Sequence, residues 1–97
     1  MITKSYISNI GSKIKKGTLK VKFPNDEEIL FKGEDGLNAE LILKSYTPVF
    51  RTIFGGHLGF AESYLKDEWD SPNLEALLEL MLQNLPNEFK PKSRIYK

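Results

Sequence analysis

GGHLGFAESYLKDEWD, residues 55–70, decides how the rest of the chain must be arranged. Within sixteen residues it places three glycines (Gly55, Gly56, Gly59) beside Leu58, Phe60, Tyr64, Leu65 and the only tryptophan, Trp69. Glycines next to bulky side chains mark a backbone that comes close to something, beside large surfaces that need burial. From Leu58 the pattern is helical: Leu58, Ala61, Leu65 and Trp69 recur at three and four, and Phe60 and Tyr64 form an adjacent stripe. Glu62 and Lys66, four apart with the acid first, are expected to pair on the outer side. A short helix with two apolar stripes needs two neighbours. One can be a sheet, the other a second helix, a ligand or a partner.

Upstream, the period changes to two. Gly17 resets the pattern, and Leu19, Val21 and Phe23 alternate with Lys20 and Lys22 as a half-buried strand does. Phe23-Pro24-Asn25-Asp26 reads as a turn, residues 29–31 as a returning strand, and residues 33–38 (GEDGLN) as a polar loop. Residues 39–43 form a third strand with Ala39, Leu41 and Leu43 on one face. Three strands with one apolar face need a cover of helices. The expected fold class is therefore α+β: a small antiparallel sheet of at least three strands covered by helices.

The cover is visible in the pattern. Residues 2–14 carry Ile2, Tyr6, Ile7, Ile10 and Ile14 at helical spacing, interrupted by Gly11, and such a helix packs on the domain's core or lies at a membrane interface. At this length the core is the expected partner. Thr47-Pro48 and Ser71-Pro72 read as helix starts, a capping hydroxyl followed by a proline. In the first of these helices Val49, Phe50, Ile53 and Phe54 make one apolar side with Arg51 and Thr52 facing away, and Gly55-Gly56 stops it with a left-handed residue. The last, with Leu74, Leu77, Leu78, Met81 and Leu85 on one stripe and Leu80 and Leu82 widening it, is apolar over more than half its circumference. Residues 1–86 read as one domain (helix 1–14, strands 17–44, helices 48–85), and residues 87–97 as a linker or frayed tail.

Composition bounds the function. Ninety-seven residues with 40% hydrophobic and 28% charged content describe one modest core. No apolar run approaches the ~20 residues that span a bilayer, there is no apolar leader, and cysteine is absent, which fits a reducing cytoplasm. Net charge is +1, but the first 22 residues hold six lysines and no acid, and the residues from 90 onward are basic too. Basic ends on an acidic body either keep the protein soluble or approach anionic surfaces; Lys13, Lys15 and Lys16 are the candidate headgroup contacts. Nucleic acid is not the expected partner, because the lysine-rich strands carry aliphatics rather than stacking aromatics.

Catalytic signatures are missing. His57 is the only histidine and reads as a capping or surface residue, with no second histidine or cysteine for a metal site. Asp67, Glu68 and Asp70 read as a solvated loop feeding a helix start. There is no phosphate loop, no G-x-G-x-x-G and no G-x-S-x-G. The chain alone is not expected to be catalytic, to hold a metal or to bind a cofactor.

One resemblance is specific. Gly56-x-Leu58-Gly59-x-x-Glu62-Ser63-Tyr64-Leu65-x-Asp67-x-Trp69, followed by Asp70-Ser71-Pro72-Asn73-Leu74 and Leu77-Leu78, closely resembles the N-terminal domain of cyclopropane-fatty-acyl-phospholipid synthases. The resemblance runs from about Gly17 to Asn84. It departs at Glu27, where the family's hairpin turn has glycine, at Leu65, where methionine is usual, and near Asp67 and Glu68, where glycine is usual. It implies a sterol-carrier-like lipid-binding fold placed before a methyltransferase domain that uses S-adenosylmethionine and is absent from this chain. On that basis the expected role is lipid or membrane engagement and docking onto the methyltransferase domain, in cis or trans, at the inner face of the cytoplasmic membrane. Phe54, Leu58, Phe60, Tyr64, Leu65 and Trp69 are the candidate lipid or interface residues; Gly55, Gly56, Gly59 and Glu62 are candidate structural ones. The alternative is a non-catalytic module that forms a homodimer or docks protein through the 74–85 helix without touching lipid.

Overall fold

The computed structural model of the chain describes residues 2–85, except the side chains of Ile2 and Thr3. The expected linker, residues 87–97, lies outside them, as do its lysines. The order of elements is α1 (Ile2–Gly11), β1 (Lys16–Lys22), β2 (Glu28–Lys32), β3 (Glu34–Leu43), α2 (Thr47–Leu65), β4 (Trp69–Asp70) and α3 (Leu74–Asn84). The fold is α+β, with three helices packed on one four-stranded sheet of order β2-β1-β3-β4.

The sheet is mixed rather than antiparallel. β1 pairs β2 antiparallel and β3 pairs β4 antiparallel, but β1 and β3 run parallel, from Thr18↔Asn38 to Lys22↔Ile42. The reason is a crossing at the foot of β1. Between β2 and β3 stands only Gly33, whose N–H donates to the Gly17 carbonyl at 2.8 Å, while the Glu34 N–H donates to the Lys15 carbonyl at 2.9 Å. The chain thus passes across the start of β1 and returns on its other side. A Cβ at Gly33 would overlap the Lys15 carbonyl oxygen, and Gly17 sits at φ +93, so both glycines are required by the crossing. The expected polar loop 33–38 is therefore mostly the first half of β3.

Alternation then builds the core. Leu19 and Val21 of β1, Phe23 beyond it, and Leu41 and Leu43 of β3 are buried under the helices. The opposite face carries Thr18, Lys20, Lys22, Leu30 and Glu40 toward solvent, as in a sheet covered on one side only. Tyr6, Ile7 and Ile10, each partly buried, lay α1 against this core. From α3 come Leu77, Leu80 and Met81, and Leu85 follows it; burial of each leucine stabilises by about 1.5–3 kcal/mol.

The helix starts differ in detail from expectation. Tyr46, not Thr47, precedes α2, with no side-chain cap, although Pro48 stands in its first turn. At α3 the cap is Asn73, whose Oδ1 accepts from the Ala76 N–H at 3.1 Å, rather than Ser71. Arg51 does not face solvent freely, and Thr52 is buried, donating its hydroxyl to the Pro48 carbonyl at 2.7 Å.

Candidate functional site

The bend in α2 creates the site. Gly56 has φ 58 and ψ −141, a glycine conformation that breaks the helix into halves at residues 47–55 and 57–65. The expected stop at Gly55-Gly56 is thus a sharp kink. Gly59 lies where the halves cross, and a Cβ there would overlap the Arg51 carbonyl oxygen. Gly55 has open space around its Cβ position and no positive φ, so no steric demand calls for glycine there.

Polar ties hold the bend. The Arg51 guanidinium donates through Nε to Glu68 Oε1 at 2.8 Å and through Nη2 to Oε2 at 3.3 Å, a bidentate pair, and through Nη1 to Glu62 at 3.5 Å. Glu62 therefore pairs with Arg51 across the bend, not with Lys66 along the helix. The hydrogen bond from Arg51 lowers the Glu68 carboxyl below its ordinary range and raises the guanidinium in turn. Asp67 takes a left-handed φ of 62 just past the helix, and its carboxylate accepts from the Lys44 ammonium. Asp67 and Glu68 thus face separate cations, and among the described residues no three acids or histidines gather to hold a metal ion.

The second half of α2 and α3 leave a groove between them of about 380 Å³. His57, Phe60, Ala61, Tyr64 and Leu65 line it from α2; Leu74, Leu78, Met81 and Leu82 line it from α3; Trp69 closes the floor. Trp69 is not on the α2 stripe, because the helix ends at Leu65 and the indole arrives from β4, paired with Leu43. Its ring stacks on Phe60 with centroids 4.3 Å apart and lies 4.8 Å from Tyr64. Its Nε1 donates to the Phe60 carbonyl at 2.9 Å, so the floor of the groove offers ring carbon rather than an unmet donor.

The six candidate residues therefore divide. Phe60 and Trp69 are buried and form the floor; Tyr64 and Leu65 stand on the wall. Phe54 (84% exposed) and Leu58 (59%) point to the other side of α2, into an open hollow that Phe50, Ala61 and Leu65 share. Leu65, 83% exposed, belongs to both surfaces. Leu78 and Leu82, the latter 62% exposed, complete the groove and are the members a reading centred on residues 55–70 misses; the excess apolar circumference of α3 is their signal.

Lys13, Lys15 and Lys16 are exposed in the segment entering β1. Asn84, the last residue of α3, pins that segment: its Oδ1 accepts from the Lys15 and Lys16 N–H groups at 2.9 and 3.1 Å, and its Nδ2 donates to the Lys16 carbonyl at 2.9 Å. Lys15 and Lys16 therefore stand at the C-terminal end of α3, where the helix dipole favours positive charge. The flank of α3 beyond Leu78 and Leu82 carries Glu75 and Glu79 by helical geometry.

Chemically, this arrangement can shelter a hydrocarbon chain or apolar side chains. Among the described residues, the polar side chains lining the groove are His57 and Tyr64, beside the bonded indole of Trp69, and its volume lies in the about 300–1,000 Å³ range of small-ligand sites. No described helix is long and apolar enough to cross a membrane. Comparison of the chain with protein-family models, with curated proteins and with solved structures finds no match.

Proposed function

We propose that the chain is a lipid-engaging domain in which the groove between α2 and α3 receives an acyl chain and the lysines at the end of α3 meet an anionic headgroup. The observation that carries this reading is the groove: an apolar channel floored by Trp69 and Phe60, open to solvent, with Lys15 and Lys16 fixed by Asn84 at one end of the helix that forms its wall. Burial of hydrocarbon supplies the affinity, at about 25 cal/mol per Å², and the lysines add a screened attraction. The likeness of residues 56–78 to the N-terminal domain of cyclopropane-fatty-acyl-phospholipid synthases supports the same reading. In that setting chemistry on the lipid, and any S-adenosylmethionine, belong to a separate methyltransferase domain.

The test is co-sedimentation with anionic and with neutral phospholipid vesicles at low and at high salt. Binding to anionic vesicles that weakens with salt, and weakens again when Lys13, Lys15 and Lys16 are all changed to glutamine, is the expected result. Absence of binding at either salt rejects the reading.

The outer hollow favours a second role for the same domain. Phe54, Leu58 and Leu65 together expose an apolar ridge across the bend, on the side of α2 away from α3. Such a ridge fits docking onto a methyltransferase domain while the groove holds lipid.

A further inference from the structure

We propose that β2 is a self-pairing edge: two copies of this chain join by antiparallel β2–β2 addition about a two-fold axis through Leu30, making one sheet that runs through both.

β2 is the outer strand of the sheet, bonded only to β1 among the described residues. Its hydrogen-bonding phase is settled by its two ends. The Phe23 N–H donates to the Glu27 carbonyl at 2.8 Å, and the Gly33 N–H donates to the Gly17 carbonyl at 2.8 Å. Antiparallel ladders alternate bonded and non-bonded pairs, so with the register Val21↔Ile29 and Leu19↔Phe31 it is Ile29 and Phe31 that bond inward. Glu28, Leu30 and Lys32 therefore turn their N–H and C=O groups to the free edge.

Those three residues are self-complementary. In an antiparallel pair centred on Leu30, Glu28 of one copy faces Lys32 of the other, Leu30 faces Leu30, and Lys32 faces Glu28. All three pairs fall on bonded positions of the new ladder, so each exchanges both main-chain hydrogen bonds. Opposite charges meet at both ends and leucines meet in the middle, the combination that stabilises cross-strand pairs. On the covered face the same register sets Ile29 opposite Phe31, both only half-buried in one copy. Slipping the register by two residues removes both Glu28–Lys32 pairs and places a charge against Leu30.

Among the described residues, two usual protections of an edge are absent. β2 has no proline and its pairing with β1 has no bulge. Lysine normally guards an edge, but Lys32 sits where a second copy supplies Glu28. Leu30 is 61% exposed in the middle of a face otherwise made of Thr18, Lys20, Lys22, Glu28, Lys32 and Glu40. This proposal does not depend on the groove or on lipid.

Sedimentation equilibrium of the full chain across a wide concentration range tests it. The native chain is expected to form a dimer. Lys32→Glu, which faces Glu28 of the second copy with a like charge at both symmetric pairs, should raise the dissociation constant about tenfold or more. Leu30→Lys should do the same by setting two lysines against each other at the two-fold axis, and the melts below measure the cost of its contact with Lys20 inside the fold. The exchange Glu28→Lys with Lys32→Glu restores opposite charges and should restore the dimer, with thermal melts showing that each variant is folded. A native chain that stays monomeric, a dimer indifferent to Lys32→Glu and Leu30→Lys, or a charge exchange that fails to restore association would each overturn the proposal.

Discussion

Trp69 stacks on Phe60 and also donates its indole N–H to the carbonyl of that same residue, at 2.9 Å. One side chain thus ties the two-residue strand β4 to the second half of α2 and floors the groove. Trp69→Phe keeps an aromatic ring but removes the indole hydrogen bond to the Phe60 carbonyl, at an expected cost of about 0.5–1.5 kcal/mol. Trp69→Ala should cost about 3–5 kcal/mol. Urea unfolding followed by far-ultraviolet circular dichroism measures both.

The glycines at the bend should separate sharply. Gly59→Ala drives a methyl into the Arg51 carbonyl and is expected to destabilise by about 2 kcal/mol. Gly56→Ala forces alanine into φ 58, ψ −141, at about 1–3 kcal/mol. Gly55→Ala meets open space in a helical turn and should be neutral or stabilising by up to about 1 kcal/mol. Equal effects at all three positions would contradict the geometry of the crossing.

Acid should loosen the bend. The Glu68 carboxyl is held below its ordinary 4.5 chiefly by the hydrogen bond from Arg51, and Glu27 is lowered chiefly by Lys4. A group whose folded pKa is depressed adds stability that is fully present above its unfolded value and disappears as pH falls through the folded one. Both contributions are therefore present at neutral pH and lost below about pH 4.5. Arg51→Met removes the Glu68 part, so thermal melts between pH 7 and pH 3 should fall less steeply for that variant than for the native chain.

Filling the groove should separate binding from folding. Ala61 lines the groove and is exposed, so Ala61→Phe places a ring in the channel with little disturbance to the core, within about 0.5 kcal/mol of native stability. Vesicle association should nevertheless fall several-fold.

Periodicity made most of the fold legible. The alternation of Leu19, Val21 and Phe23 and of Ala39, Leu41 and Leu43 marks two strands, and the spacing in residues 47–65 and 74–85 marks the helices with a break between Gly55 and Gly56. What it does not carry is pairing direction: β1 and β3 show the same alternation whether parallel or antiparallel, and only the crossing at Gly33 decides. Residues 34–38 read as loop because their side chains are polar, yet their backbone extends along β1. β4, two residues long, is too short to have a period, and Trp69 therefore looks like a continuation of the helical stripe. At the site, Phe60, Tyr64, Leu65 and Trp69 come together in the groove, whereas Phe54 and Leu58 leave it because the bend turns them outward. Arg51 reads as an outward-facing residue because its partners lie eleven and seventeen residues downstream.

Trp69, the only tryptophan and the floor of the groove, reports directly on whether hydrocarbon enters. Anionic vesicles whose phospholipids carry bromine on the acyl chain quench an indole only at close range. If the groove receives an acyl chain, Trp69 fluorescence should be strongly quenched by brominated vesicles, unaffected by unbrominated ones, and protected by Ala61→Phe. Vesicle binding without any quenching of Trp69 would place the lipid elsewhere and contradict the central claim.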